Sequence, residues 1–159
     1  MITGGTTGIG REFVGQFYGL NNQIIVASSN SENLNDLKRE YPKIRAMTCD
    51  LRDSIAVKSL IRNCLENHEE INVIVNNAGV QFNNLWIENR NGFDQIAEET
   101  SINFISPMQI IYGLIPLLMN KKESAIINIS SAVAFAPKMS APIYCGTKAG
   151  IHVSTKALR

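Results

Sequence analysis

Short runs rich in Ile and Val, apolar throughout or alternating with polar residues, recur at Gln23–Ser28, Ile44–Thr48, Asn72–Asn76 and Ala125–Ser130. Runs of that length and composition fit strands buried on both faces of a sheet. Between them the apolar spacing lengthens to that of a helix. Gly8–Leu20 follows a glycine-rich turn, Ser31–Tyr41 opens on a serine suited to capping and stops before Pro42, and Asp53–His68 sets Val57, Leu60, Ile61, Cys64 and Leu65 at helical spacing. A further strand is expected just before the glycines, where Met1-Ile2 can supply only its end. Strand and helix alternating over short linkers imply right-handed crossovers, and so an α/β fold with a doubly wound parallel sheet covered on both faces. Gln81–Gly92, rich in asparagine and without periodicity, reads as a loop after the fourth strand, near the edge where such sheets meet their ligands. No internal repeat and no second domain interrupts the pattern.

Ser101–Asn120 carries no charge and is long enough to be weighed as a membrane span. Asn103, Ser106, Pro107, Gln109, Gly113 and Pro116 speak against lipid, since they would bring polar groups and two prolines into it. A helix buried between layers or in a subunit interface fits better. Composition narrows the picture further. With 15 basic against 14 acidic residues, a formal charge of +1 and no cluster of either sign, the chain lacks the surface that grips nucleic acid. Its 45% hydrophobic content is that of a chain that buries a core. Three cysteines, Cys49, Cys64 and Cys145, make an odd number without close pairing, and no basic-then-apolar leader precedes the glycines, so a cytoplasmic setting is expected.

The first chemical motif is Thr3-Gly4-Gly5-Thr6-Thr7-Gly8-Ile9-Gly10 at the mouth of the first helix. Glycines there permit a tight turn and close approach of backbone to a pyrophosphate, while the helix start offers free N–H groups and a positive dipole end. Alone, such a stretch can equally be only a turn. Asn76-Asn77-Ala78-Gly79 ends the fourth strand, where small residues let backbone lie close to a flat ring; a polar turn is the plainer alternative. Ser130-Ser131 ends the fifth, and thirteen residues beyond Ser131 comes Tyr144-Cys145-Gly146-Thr147-Lys148. Tyr144 and Lys148 are one helical turn apart, so phenol and ammonium share a face. Cys145 beside them reads as a small buried residue rather than an activated thiol. His68 and His152 have no ligand-spaced partner, and no metal is expected.

In this order and spacing the elements resemble the short-chain dehydrogenase/reductase family, from Thr3 to Lys148. Within it, the stretch from Tyr41-Pro42 to Cys49-Asp50-Leu51, the Asn77-Ala78-Gly79-Val80-Gln81 element and Ala141-Pro142-Ile143-Tyr144-Cys145 are most similar to bacterial oxidoreductases found with the teichoic-acid D-alanylation (Dlt) genes. The resemblance implies a Rossmann-type fold and an NAD(P)-dependent oxidoreductase passing a hydride between nicotinamide and a carbonyl or alcohol carbon. It implies that Tyr144 exchanges a proton with the substrate oxygen. A free phenol titrates near ~10, so a nearby cation is needed at neutral pH, and Lys148 supplies it. Lys148 would also bond the cofactor ribose, and Ser131 would orient and polarise the substrate. Asn103, 28 residues before Ser131, matches the family's helix asparagine that holds a water linking the lysine to solvent; a satisfied polar residue in a buried helix is its alternative.

The cofactor contacts carry over in the same way. Gly4, Gly8, Ile9 and Gly10 would lie under the pyrophosphate, with Thr6, Ser28 and Ser29 in the same binding set. Asp50 and Leu51 would stand near the adenine, although Asp50 could simply cap a turn. Asn77, Ala78 and Gly79 would follow the ribose and ring. NAD-preferring relatives resemble one another in an acid where this chain has Ser28, and many NADP-preferring ones have Arg in place of Ser29. Neither is present here, which leaves NADP or NAD usable with a mild preference for NADP. The family commonly pairs the helix at Ser101–Asn120 and the Tyr144 helix across a two-fold axis, so a homodimer or homotetramer is expected. Measured against the family, residues 1–159 read as one Rossmann-type domain incomplete at both ends, with a shortened first strand and without the later strands and the substrate-covering segment. A noncatalytic nucleotide-binding or interaction remnant of such an enzyme is the rival expectation.

Overall fold

The computed structural model describes residues 1–83 and 92–159, so of the loop expected at Gln81–Gly92 only the two ends fall within the described residues. Five strands, β1 (Ile2–Thr3), β2 (Ile25–Ser28), β3 (Arg45–Thr48), β4 (Val73–Asn76) and β5 (Ala125–Asn128), form one parallel sheet in the order β3-β2-β1-β4-β5. The short first strand takes the centre. Ile2 faces Val26 on one side and Val75 on the other, and Thr3 faces Ala27 and Asn76.

Side chains alternate across a strand, so this register sorts the apolar residues into two cores. Ile2, Val26 and Val75 point to one face, where Val14 of α1 (Gly8–Gly19) and Leu34 and Leu37 of α2 (Ser31–Glu40) cover them. Ile25, Ala27 and Ile74 point to the other, against Val57, Leu60 and Cys64 of α3 (Ser54–Asn67) and Ile110, Leu114 and Leu118 of α5 (Ser106–Met119). Each fully buried aliphatic side chain contributes about 1.5–3 kcal/mol, and both faces of the sheet are stabilised this way.

The helices begin and end where local chemistry dictates, with one shift from expectation. The cap of α2 is Asn30, whose side chain accepts the Asn33 amide at 2.9 Å, and Ser31 is already inside the helix. Asn and Ser serve equally well at a cap, so Asn30-Ser31 offered two candidates one residue apart. Asp53 caps α3 through the Ile55 amide. The uncharged stretch is part of a longer helix: α4 (Gly92–Thr100), a π-helical turn at Ser101–Ile105, and α5 run on from one another. By length and composition alone Gly92–Met119 could cross a membrane. Here it packs on the sheet, with Ile110 and Leu114 fully buried and the Ser106 hydroxyl donating to the Leu51 carbonyl at 2.6 Å. α6 (Pro142–Ala157) starts with a proline in its first turn, where no N–H is required.

Candidate active site and cofactor cleft

The segments that leave β1, β2, β3 and β4 at the upper edge of the sheet each bring a predicted residue to one cleft. The glycine turn is shaped by contacts that exclude side chains. Gly4 has φ +64°, and a Cβ there would lie 2.8 Å from the Ala78 Cα; a Cβ on Gly10 would lie 2.2 Å from the Gly4 carbonyl oxygen. The turn therefore folds against β4's exit as tightly as backbone allows. α1 then starts with no capping side chain and no acid in its first turn, and among the described residues the first amide bonded back is that of Arg11, to the Thr7 carbonyl. Its start presents N–H groups and the positive dipole end without a competing carboxylate. Asn77 fixes the turn from the side, its Nδ2 donating to the carbonyls of Thr3 at 3.1 Å and Gly4 at 3.0 Å. The Thr3 hydroxyl returns the contact by accepting the amides of Asn77 and Ala78.

The cleft beside this turn encloses about 330 Å³ and is lined by Gly4, Thr6, Ser28, Ser29, Asp50, Leu51, Ala78 and Gly79, all expected from sequence. Thr7, Arg52, Val80, Glu98 and Ile102 line it as well and were missed. At its far end the hydroxyls of Ser28 and Thr6 lie 3.3 Å apart. Asp50 does turn its own chain, accepting the Arg52 amide at 2.9 Å, and it also grips the Arg52 guanidinium through both oxygens. That guanidinium, against the cost of partial burial, holds the Asp50 carboxyl below its ordinary value. Arg52 reaches on to Glu98 of α4 at 3.4 Å, spanning the cleft. The signal for Arg52 was present in sequence, a charged residue two places after Asp50, but Asx-turn partners are common and only the geometry places it at the rim.

Asn103, Lys148 and Tyr144, three of the residues expected to take part in proton transfer, gather beyond the Gly79 end of the cleft. Lys148 on α6 is 4% exposed, and its Nζ donates to the Ile129 carbonyl at 2.7 Å while standing 5.6 Å from the centre of the Tyr144 ring. Burial lowers its pKa from the ordinary lysine value. Ser130 secures the same turn by donating to the Lys148 carbonyl at 3.0 Å. Ser131 heads the 3₁₀ turn Ala132–Ala134, which packs on α6. Asn103 sits in the π-helical turn, where the extra residue per turn re-aims its side chain. It holds Val80 on both sides, accepting its amide at 2.9 Å and donating to its carbonyl at 2.8 Å, and lies 3.3 Å from the Thr147 hydroxyl. Gly79 closes the arrangement: a Cβ there would meet Asn103 Oδ1 at 3.3 Å and Lys148 Nζ at 3.4 Å. Glycine lets the exit of β4 lie between the two. Cys145 is buried and takes the Lys138 amide at 3.2 Å.

A central parallel sheet with a glycine turn under one end of a cleft and a Tyr-Lys helix at the other defines a Rossmann-type dinucleotide-binding architecture. The chain belongs to the short chain dehydrogenase family, whose sequence pattern matches residues 1–159. It is 33% identical over 162 residues to the Bacillus subtilis protein named "Uncharacterized oxidoreductase DltE", covering all of this chain and 63% of that one. To the 3-oxoacyl-[acyl-carrier-protein] reductase FabG of Rickettsia bellii it is 31% identical, covering 99% of this chain and 64% of that one. The chain thus spans under two thirds of the length of these relatives. Among solved structures it superposes on a metagenomic short-chain oxidoreductase in complex with NADP (TM-score 0.89, 24% identity, 99% of this chain and 72% of that one). A short-chain dehydrogenase from Sphingobium yanoikuyae in complex with NADPH gives TM-score 0.88 at 23% identity, over 99% and 63% of the two chains. These likenesses agree with the Rossmann-type fold and the Dlt-type resemblance expected from sequence.

Proposed function

We propose that this chain is the nucleotide-binding and catalytic part of an NAD(P)-dependent oxidoreductase acting on a small carbonyl or alcohol substrate. The observation that carries the reading is the meeting of Tyr144, Lys148, Asn103 and Gly79 at one end of a cleft whose other end is the uncapped start of α1. The residues fit a dinucleotide. Gly4, Gly8, Ile9 and Gly10 offer backbone to the pyrophosphate, Thr6, Ser28 and Ser29 face the adenosine ribose, Asp50 and Leu51 the adenine, and Ala78 and Gly79 the nicotinamide half, with Asn77 holding the turn. The bound nicotinamide supplies or accepts the hydride. Tyr144 moves the proton on the substrate oxygen, the Lys148 ammonium, 5.6 Å from the centre of its ring, would bond the cofactor ribose, and Ser131 orients the reacting oxygen. Asn103 keeps Val80 and the end of β4 in register with α6.

Cofactor preference follows from the hydroxyl-lined ribose end. No carboxylate at Ser28 repels a 2′-phosphate or grips a ribose diol, and two structural neighbours hold NADP or NADPH, so a mild preference for NADP over NAD is expected. On this reading the described residues belong to one such domain, working in the cytoplasm as a homodimer or homotetramer.

Fluorescence titrations with NADPH and NADH, followed by a panel of carbonyl substrates, test the proposal. Binding of both cofactors, NADPH modestly tighter, is the expected result. Tighter NADH overturns the preference, and failure to bind either overturns the function in favour of a noncatalytic remnant.

A further inference from the structure

Glu99, at the end of α4, is a carboxylate only 2% exposed that the proton chemistry above does not use. Burial of a carboxylate is costly, and its pKa is raised accordingly. An ordinary core position would hold an apolar residue. Among the described residues its hydrogen-bond partner is the Phe82 amide, which donates to Oε1 at 3.2 Å. One helical turn on, Asn103 takes both backbone groups of Val80. Residues four apart on a helix share a face, and backbone amides two apart in an extended chain point the same way, so two side chains of one helix hold two alternate amides of one segment. That segment is the continuation of Gly79, which lies against Lys148 and, with Val80, lines the cleft.

Resting on the function proposed above, we infer that Glu99 is a positioning residue, whose carboxylate staples the backbone at Phe82 so that Gly79 and Val80 keep the floor for the nicotinamide half of the cofactor in place. It touches neither cofactor nor substrate. Asn103 alone fixes Val80 but leaves the chain free to pivot about it; the second bond, two residues on, removes that freedom. What the staple requires is an acceptor oxygen at this distance, not a negative charge, and this separates it from a role in proton transfer or in bulk stability.

Hydrogen exchange across Gly79–Asn83, NADPH titration and thermal melting on the full chain and on Glu99→Gln, Glu99→Leu and Glu99→Asp test the inference. Glu99→Gln keeps the acceptor and should match the parent in exchange and affinity. Glu99→Leu fills the site without an acceptor, and Glu99→Asp keeps the charge but withdraws the oxygen. Each should speed exchange at Phe82 and weaken NADPH by about tenfold, the worth of one buried hydrogen bond. Glu99→Leu should do so with an undiminished melting temperature. Parental exchange and affinity in Glu99→Leu or, if that variant does not fold, in Glu99→Asp overturns the staple, as does loss in Glu99→Gln equal to that in the others. If the parent itself binds neither NADPH nor NADH, the functional reading falls, while the exchange comparison still decides whether Glu99 holds the segment.

Discussion

In the proposed reaction Tyr144 and Lys148 divide one task between them. The ammonium is buried, bonded to the Ile129 carbonyl and set 5.6 Å from the centre of the Tyr144 ring, and in the proposed reaction it would bond the cofactor ribose. Tyr144→Phe removes the transferable proton and keeps the ring, so turnover should fall by about a hundredfold or more while NADPH affinity stays near the parent's, measured by steady-state rates beside fluorescence titration. Equal loss in both would move Tyr144 out of the chemistry. Glu99 yields a pH prediction of a different kind. Its pKa is raised by desolvation from the ordinary 4.5, so in the window above 4.5 the folded chain holds a proton that the unfolded chain has released. Stability contributed by this residue therefore falls as pH rises through that window. Glu99→Gln has nothing to release, so its melting temperature should exceed the parent's near neutral pH and converge with it at about pH 4. A difference independent of pH would show that the buried carboxylate is not what titrates.

At the scale of the element, the glycine turn makes the sharpest demand. Gly10 has no room for a Cβ because the Gly4 carbonyl and the Asn77 amide nitrogen already occupy that volume, at 2.2 and 2.3 Å. The first is backbone, and the second, the Asn77 side-chain Nδ2, is held by its bonds to the Thr3 and Gly4 carbonyls, so neither yields cheaply. Gly10→Ala should thus push the start of α1 away from the turn and weaken NADPH at least about tenfold, a loss comparable to that of a strong bond, whereas Gly8→Ala meets no neighbour and strains only the backbone. Parallel titrations check the order of the two. The elements also show what the chain's pattern made legible. Strand interiors, helix periods and the sheet's alternation follow from local chemistry, so β2 to β5 fall within the expected runs, shorter by one or two residues where the ladder ends. The π-helical turn at Ser101–Ile105 left no such trace. Asn103 within it bonds Val80 of a distant segment, and residue type along the helix does not record that contact.

Over the whole molecule, the cleft positions after β1 to β4 could be placed from sequence because each follows a strand end and strand ends converge. Arg52, Glu98 and Glu99 were not, because their partners lie on other segments: Glu98 is 46 residues from Arg52 and Phe82 is 17 from Glu99. The same scale decides the oligomer. One flank of the long helix packs on the sheet, and the opposite flank carries Ile105, Tyr112 and Met119, exposed by 44%, 85% and 79%. Their spacing of seven places them almost in line, since an α-helix drifts only about 20° per heptad. On the adjoining α6, Val153 is 63% exposed. A line of large apolar side chains on a helix is what a two-fold related copy can cover, each residue meeting its counterpart across the axis. Light scattering across a range of concentrations should therefore give a dimer or tetramer. Tyr112→Glu combined with Met119→Lys should lower the mass toward that of one chain and leave the NADPH cleft, on the other side of this helix's buried flank, with its affinity little changed. A monomer at every concentration in the parent, or an unchanged mass in the double variant, would mean that this line of residues is not the surface through which copies of the chain associate.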